Sequence, residues 1–188
     1  MGYALAKAAV NRGWEVDLVS GPVALAPPDK VELHSIETAE QLRDALVGLF
    51  TRCDLLLMAA AVSDFRPARR LEHKEKKLEA DRTLDLVPTP DLLWELGRQK
   101  GDRVLVGFAA ETDNLEENGR KKLQEKKLDW IAINRVGPGI GFQSDENEIL
   151  LLGANGSRQT LGPAPKSDIA NDLLEVLKLD SNSNVLST

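Results

Sequence analysis

A chain of 188 residues with 42% apolar and 29% charged side chains has the size of one globular domain with a full core, and is too short for two comfortable ones. Its net charge of -6 argues against a duplex nucleic-acid partner, which needs a positive surface to displace counterions, and its single cysteine and two separated histidines exclude an internal disulfide and a Cys/His metal cluster. The longest apolar run, Leu55 to Val62, is too short to cross a bilayer, and the opening Met1-Gly2-Tyr3-Ala4 stretch lacks a basic leader, so the expected address is cytoplasmic with no membrane contact.

In chain order, Tyr3 to Arg12 is rich in alanine and leucine and stops at Gly13, which suits a helix closed by a left-handed cap. Glu15 to Ser20 and Lys30 to Ile36 alternate polar and apolar residues as strands do. Ala39 to Arg52 spaces Leu42, Ala45, Leu46 and Leu49 helically, and Leu55 to Ala61 reads as a strand buried on both faces. Pro90-Asp91 opens a helix to about Gln99, and Val104 to Ala110 is a second interior strand. A helix to about Lys127 follows, for which Asp113 and Glu116 have capping-box spacing. Trp130 to Asn134 is a strand. Glu148 to Leu152 and Arg158 to Leu161 flank Asn155-Gly156 as an antiparallel hairpin, and Lys166 to Lys178 is an amphipathic helix. The expected domain is 1–179, with 180–188 a loose tail.

Alternating units with wholly apolar interior strands predict an α/β, Rossmann-like three-layer fold with a mostly parallel sheet and an antiparallel hairpin near the C-terminus. Ligands of such sheets lie at the carboxyl ends of the strands, after Ser20, Ala61, Ala110 and Asn134. At the first buried strand end, Ala59, Ala60 and Ala61 leave room for a flat ring, and Asp64 and Arg66 follow. Close helix packing is the alternative use of those alanines. Against the net negative charge stand two basic segments. Arg66 to Lys77 has six basic and two acidic residues, and Arg120 to Lys127 has five and one. They read either as solvated charge runs or as the handles for a small polyanion. Lys122 and Lys126, four apart, share a helical face and can meet one phosphate group, or join surface ion pairs such as Glu117 with Lys121. Phe108 is equally core or ligand contact. Lys74 lies in an aperiodic stretch suited to a loop that closes over phosphates. No G-x-G-x-x-G, Walker A, G-x-S-x-G or paired-histidine motif is present.

Taken in order, RGWEVDLVSGPV, AAAVSDFRP, HKEKK, VPTPDLL, VGFAAET, KKLQEKKLDWIAIN and GFQSDENEI resemble the bacterial phosphopantothenate-cysteine ligase domain, which usually follows a flavin-dependent decarboxylase. The resemblance implies a CTP-dependent ligation of 4'-phosphopantothenate to L-cysteine through an acyl-cytidylate, with magnesium shielding the triphosphate on ligands the sequence does not name. FMN is implied only where a decarboxylase domain lies upstream. The resemblance assigns Met58, Ala59 and Ala60 to the cytosine and Asp64 to the nucleotide. It assigns Lys74 to acyl-cytidylate formation, and Pro90, Asp91, Leu92, Leu93, Phe108, Lys122 and Lys126 to further nucleotide contacts. It also implies a homodimer joined by strands between the Asp64 region and Pro90.

Ahead of the Met-Gly that opens this chain, the family carries a first strand, a glycine-rich loop and an Asn-x-Ser-Ser-Gly segment. Without them, the expectation is an exposed sheet edge and missing phosphate-binding amides. Two other readings follow: a nucleotide-binding fragment without turnover, and a Rossmann-type NADP-dependent reductase.

Overall fold

The structure is a computed structural model that describes residues 1–69, 83–136, 146–177 and 183–188. The anticipated alternation is present. Helix α1 (Gly2–Asn11) leads through Gly13, at φ +81°, into β1 (Glu15–Ser20), followed by β2 (Val31–Ser35) and α2 (Ala39–Phe50). Then come β3 (Leu55–Met58), two short strands β4 (Phe65–Pro67) and β5 (Leu86–Pro88), and α3 (Leu92–Gly97). The chain continues as β6 (Val104–Glu111), α4 (Leu115–Glu125), β7 (Trp130–Arg135), β8 (Glu146–Gly153), β9 (Arg158–Pro165) and α5 (Lys166–Leu177), and closes with β10 (Asn184–Ser187).

Eight strands form one sheet in the order β2-β1-β10-β3-β6-β7-β8-β9. It is parallel from β2 to β7 and antiparallel at β8 and β9. Successive residues of a strand point to opposite faces. Leu55 and Leu57 therefore join α1 and α5 in one core cluster, whereas Leu56 and Met58 join α2, α3 and α4 in the other. A strand buried on both sides needs this unbroken apolar run, which is why Leu55–Met58 carries no alternation.

Three local expectations are corrected. The first buried strand ends at Met58, so Ala59, Ala60 and Ala61 belong to the turn beyond it. Helix α4 is preceded by Asn114 in the left-handed region at φ 49°, with no side-chain cap; Asp113 accepts from the Thr112 hydroxyl, and Glu116 pairs with Arg120 and Arg158 instead. The third is the largest. Residues 184–187 are not a loose tail but the strand between β1 and β3, with Val185 facing Val16 and Leu55. Leu186 and Ser187 are fully buried. The apolar pair Val185-Leu186 supplies one side chain to each core, so the position between β1 and β3 is filled by the closing segment of the chain.

Candidate functional site at the carboxyl rim of the sheet

The central strands β3 and β6 pair with Met58 beside Gly107. A side chain at Gly107 would collide with Leu128 and press on Leu93, so glycine lets α3 and the end of α4 close onto the sheet here. Past Met58 the chain turns sharply. The Ala59 amide donates to Leu57 O at 3.1 Å, and the Ala60 amide donates to Thr188 Oγ1 at 3.1 Å. Met58 is buried, Ala59 half-buried and Ala60 exposed. Asp64 is exposed, and its carbonyl accepts from the Thr89 amide at 2.8 Å, where the antiparallel pair β4–β5 begins. Between this turn, the N-terminal end of α2 and the two short strands lies an open groove of about 840 Å³, lined in part by Ala60, Ala61, Ser63, Arg66 and Thr38. Thr38 and Gln41 form a reciprocal capping box at the start of α2, so the first amides of that helix are already capped. Arg66 Nε lies 2.7 Å from Glu40 on the same helix.

Thr89, Pro90 and Asp91 carry the chain from β5 to α3, bringing the Asp64 turn and the Asp91 carboxylate into one connected stretch. Asp91 caps α3, accepting from the Trp94 amide at 3.1 Å, and its other oxygen lies 2.9 Å from Lys126 Nζ. Lys122 Nζ lies 2.5 Å from Glu111 Oε1 at the end of β6, and that carboxylate also accepts from Asn118. The two lysines are half-buried and each is held by its own carboxylate, so they do not share a partner here. The ion pairs within α4 are Arg120 with Glu116, half-buried, and Lys121 with Glu125, in place of Glu117 with Lys121. Leu92 and Leu93 turn their side chains into the core beneath α3, and Phe108 packs half-buried on the α1–α5 face. Lys74 lies outside the described residues.

Sequence reasoning missed Thr188, Glu111 and the Arg43–Glu95 pair, and named Asp91 only as a nucleotide contact. Thr188 follows the apolar pair Val185-Leu186, a run too short for a period to mark it as the end of a strand. Glu111 and Asp91 as lysine partners had no local signal, because their pairing spans 11 and 35 residues. Arg43 likewise binds Glu95 through two hydrogen bonds of 2.8 and 2.5 Å, fastening α2 to α3 and holding the Glu95 carboxyl below its ordinary range. A histidine-carboxylate cluster, Asp17, Glu32 and His34, is the one group among the described residues with metal-ligand spacing. It is bridged by Arg52 from the far end of α2, at the opposite end of the strands from the rim, and the guanidinium 2.8 Å from Asp17 takes the place a cation would need.

Comparison with known proteins places this geometry. Residues 1–179 match the DNA/pantothenate metabolism flavoprotein C-terminal domain family. The chain is 41% identical over 177 residues to the coenzyme A biosynthesis bifunctional protein CoaBC of Bacillus subtilis (strain 168), covering 93% of this chain and 44% of that one, so it spans less than half of that relative's length. A crystal structure of the C-terminal domain of CoaBC superposes with a TM-score of 0.77 at 34% identity, covering 93% of this chain and 79% of that one. Cab2 H337A, solved in complex with phosphopantothenate-cysteine, shares the fold alone: TM-score 0.63, 20% identity, 79% of this chain and 52% of that one. The match across nearly the whole domain, at this identity, means that the chain belongs to the DNA/pantothenate metabolism flavoprotein C-terminal domain family.

Proposed function

We propose that this domain ligates 4'-phosphopantothenate to L-cysteine with CTP as the activating nucleotide, giving phosphopantothenoylcysteine, CMP and pyrophosphate. The supporting observation is the pair of half-buried lysines, Lys122 and Lys126, each held against a carboxylate near the strand ends where ligands of this fold bind. A triphosphate entering there exchanges carboxylate oxygens for phosphate oxygens around ammonium groups already in place, and the ordering cost is met before binding.

In this reading, the turn Met58–Ala60 seats the cytosine, and Asp64 and the Pro90–Leu93 segment contact the nucleotide, the latter through its backbone and Asp91 because the leucine side chains are buried. The carboxylate of 4'-phosphopantothenate attacks the α-phosphorus of CTP. An acyl–phosphate bond forms and the bond to pyrophosphate breaks, its electron pair leaving with pyrophosphate. The cysteine amine then adds to the acyl carbon, loses a proton and expels CMP. Lys74 is assigned to the first step and the α4 lysines to the leaving phosphates. Magnesium accompanies the triphosphate as its counter-ion, with no protein ligands assigned. Phe65, Leu84 and Leu86 are exposed apolar side chains on and beside β4–β5, which supports a homodimer formed through that arm. A cytoplasmic address, and a decarboxylase domain as a further partner, complete the reading.

The test is pyrophosphate release from CTP and magnesium by the protein. Release that requires 4'-phosphopantothenate but not cysteine, with one equivalent retained as acyl-cytidylate, is expected. Stabilisation by NADPH with no response to CTP would instead favour the reductase reading.

A further inference from the structure

Edge strand β2 runs beside β1 with Asp17 opposite Glu32 and Val19 opposite His34. Residues two apart on a strand share a face, so this register sets Asp17, Glu32 and His34 side by side on the face of the sheet that carries α2. His34 Nε2 lies 2.7 Å from Asp17 Oδ1 and 3.7 Å from Glu32 Oε1, and one ligand atom from each residue falls within 4.8 Å of the other two. A zinc ion sits about 2.0–2.2 Å from nitrogen and oxygen ligands, and a tetrahedral arrangement then separates the ligand atoms by roughly 3.3 Å. Small side-chain rotations bring the three atoms to that spacing, on backbone already fixed by strand pairing.

Arg52 shows that a cation is held here. Its guanidinium lies 2.8 Å from Asp17 Oδ1 and 3.9 Å from Glu32 Oε2, where a further partner of the cluster would stand. The Arg52 side chain is 55% exposed and can turn into water at small cost, because exposed ion pairs contribute little. A cavity of about 470 Å³ opens beside the cluster, lined in part by Asp17, Glu32 and Arg52, with room for an ion and its waters. Glu15 and Lys30 line it too, so three carboxylates face two cations, and one cation once Arg52 has turned away.

The imidazole among the donors decides the class of ion. Magnesium and calcium prefer oxygen alone, whereas zinc and its transition-metal neighbours take imidazole together with carboxylate. We propose that Asp17, Glu32 and His34 form a site for a zinc-class divalent ion on the β1–β2 pair, with Arg52 as the internal cation that the metal displaces. His34 binds through Nε2 with its proton on Nδ1, each carboxylate supplies an oxygen, and water completes the shell. The ion ties the edge strand to β1. It is built from none of the residues at the carboxyl rim, and the inference is independent of the ligase reading.

The test is calorimetric titration of zinc chloride into the full chain and into His34→Gln and Arg52→Ala, in chelator-free buffer containing magnesium. The unaltered protein binds one zinc ion per chain despite the magnesium. His34→Gln weakens that binding at least roughly tenfold, since a direct ligand is lost. Arg52→Ala strengthens it by about two- to fivefold, since the competing guanidinium is gone. No zinc binding by the unaltered protein, equal affinity in the His34 variant, or weaker binding after Arg52→Ala overturns the proposal. Cobalt(II) absorption by the unaltered protein is a second measurement that stands even if a variant fails to fold. Bands of a site with nitrogen and oxygen donors, abolished by zinc, are expected; a sulfur-to-cobalt charge-transfer band would assign the metal to Cys53 and overturn the proposal.

Discussion

Lys126 Nζ lies 2.9 Å from one oxygen of Asp91 while the other oxygen accepts the Trp94 amide at 3.1 Å, so one carboxylate both starts α3 and holds a lysine from the end of α4. The cap and the ion pair separate by mutation. Asp91→Ala removes both and should cost about 1–2 kcal/mol in chemical denaturation, mostly from the cap, because an exposed ion pair adds little. Asp91→Asn keeps a capping side chain and should recover most of that loss. Equal destabilisation by the two variants would show that the charge, not the cap, dominates.

Gly97 ends α3 directly against the carbonyl of Lys126, and a methyl group there would meet backbone rather than a movable side chain. Gly97→Ala should therefore destabilise by about 1–3 kcal/mol, despite alanine's better helix propensity. Gly48, with open space around it on α2, provides the control: Gly48→Ala should be neutral or stabilising by up to about 1 kcal/mol. A Gly97→Ala variant as stable as Gly48→Ala in thermal denaturation would contradict the close approach of α3 to the end of α4.

If β10 is the central strand, Leu186→Ala should behave as a core truncation and cost about 2–5 kcal/mol. Leu33 on the edge strand β2 is 40% exposed, and Leu33→Ala should cost under about 1 kcal/mol. Matching small losses at both positions would mean that the closing segment contributes no core.

Cys53 is buried beneath α2, and burial pushes its thiol up to about 11. The folded protein should resist thiol-specific disulfide reagents at pH 8 and react at one site after denaturation. A thiol acid whose folded value is raised contributes stability below its unfolded value near 9 and loses it as pH rises, because the unfolded thiol ionises first. A Cys53→Ala variant should lose part of the native protein's destabilisation between pH 9 and 11; an unchanged pH profile would contradict the assignment.

Much of the fold was legible because periodicity reports burial directly. The unbroken Leu55-Leu56-Leu57-Met58 run, the helically spaced leucines of Ala39–Phe50 and the Asn155-Gly156 turn, with Gly156 at φ +89°, each carry a local cause. What escaped was non-local. The four-residue strand Asn184–Ser187 is too short for a period to emerge, and its neighbours in the sheet, Glu15–Leu18 and Leu55–Leu57, lie at the other end of the chain. The charge arrangement of the site escaped for the same reason. Sequence spacing puts Lys122 and Lys126 on one face, but only the folded chain reveals that Glu111 and Asp91 hold them apart. The absent Asp113–Glu116 box shows the converse, a local signal overridden where Arg120 and, from the hairpin, Arg158 both take the Glu116 carboxylate.

The account is tested most directly by titrating CTP and magnesium into the protein and into Lys122→Ala and Lys126→Ala, by calorimetry. Each substitution removes one charge-assisted contact to phosphate and should weaken CTP by roughly tenfold or more, with CMP, which lacks the terminal phosphates, much less affected. CTP affinity unchanged in both variants, or an equal loss for CMP, would contradict a triphosphate site built around the α4 lysines.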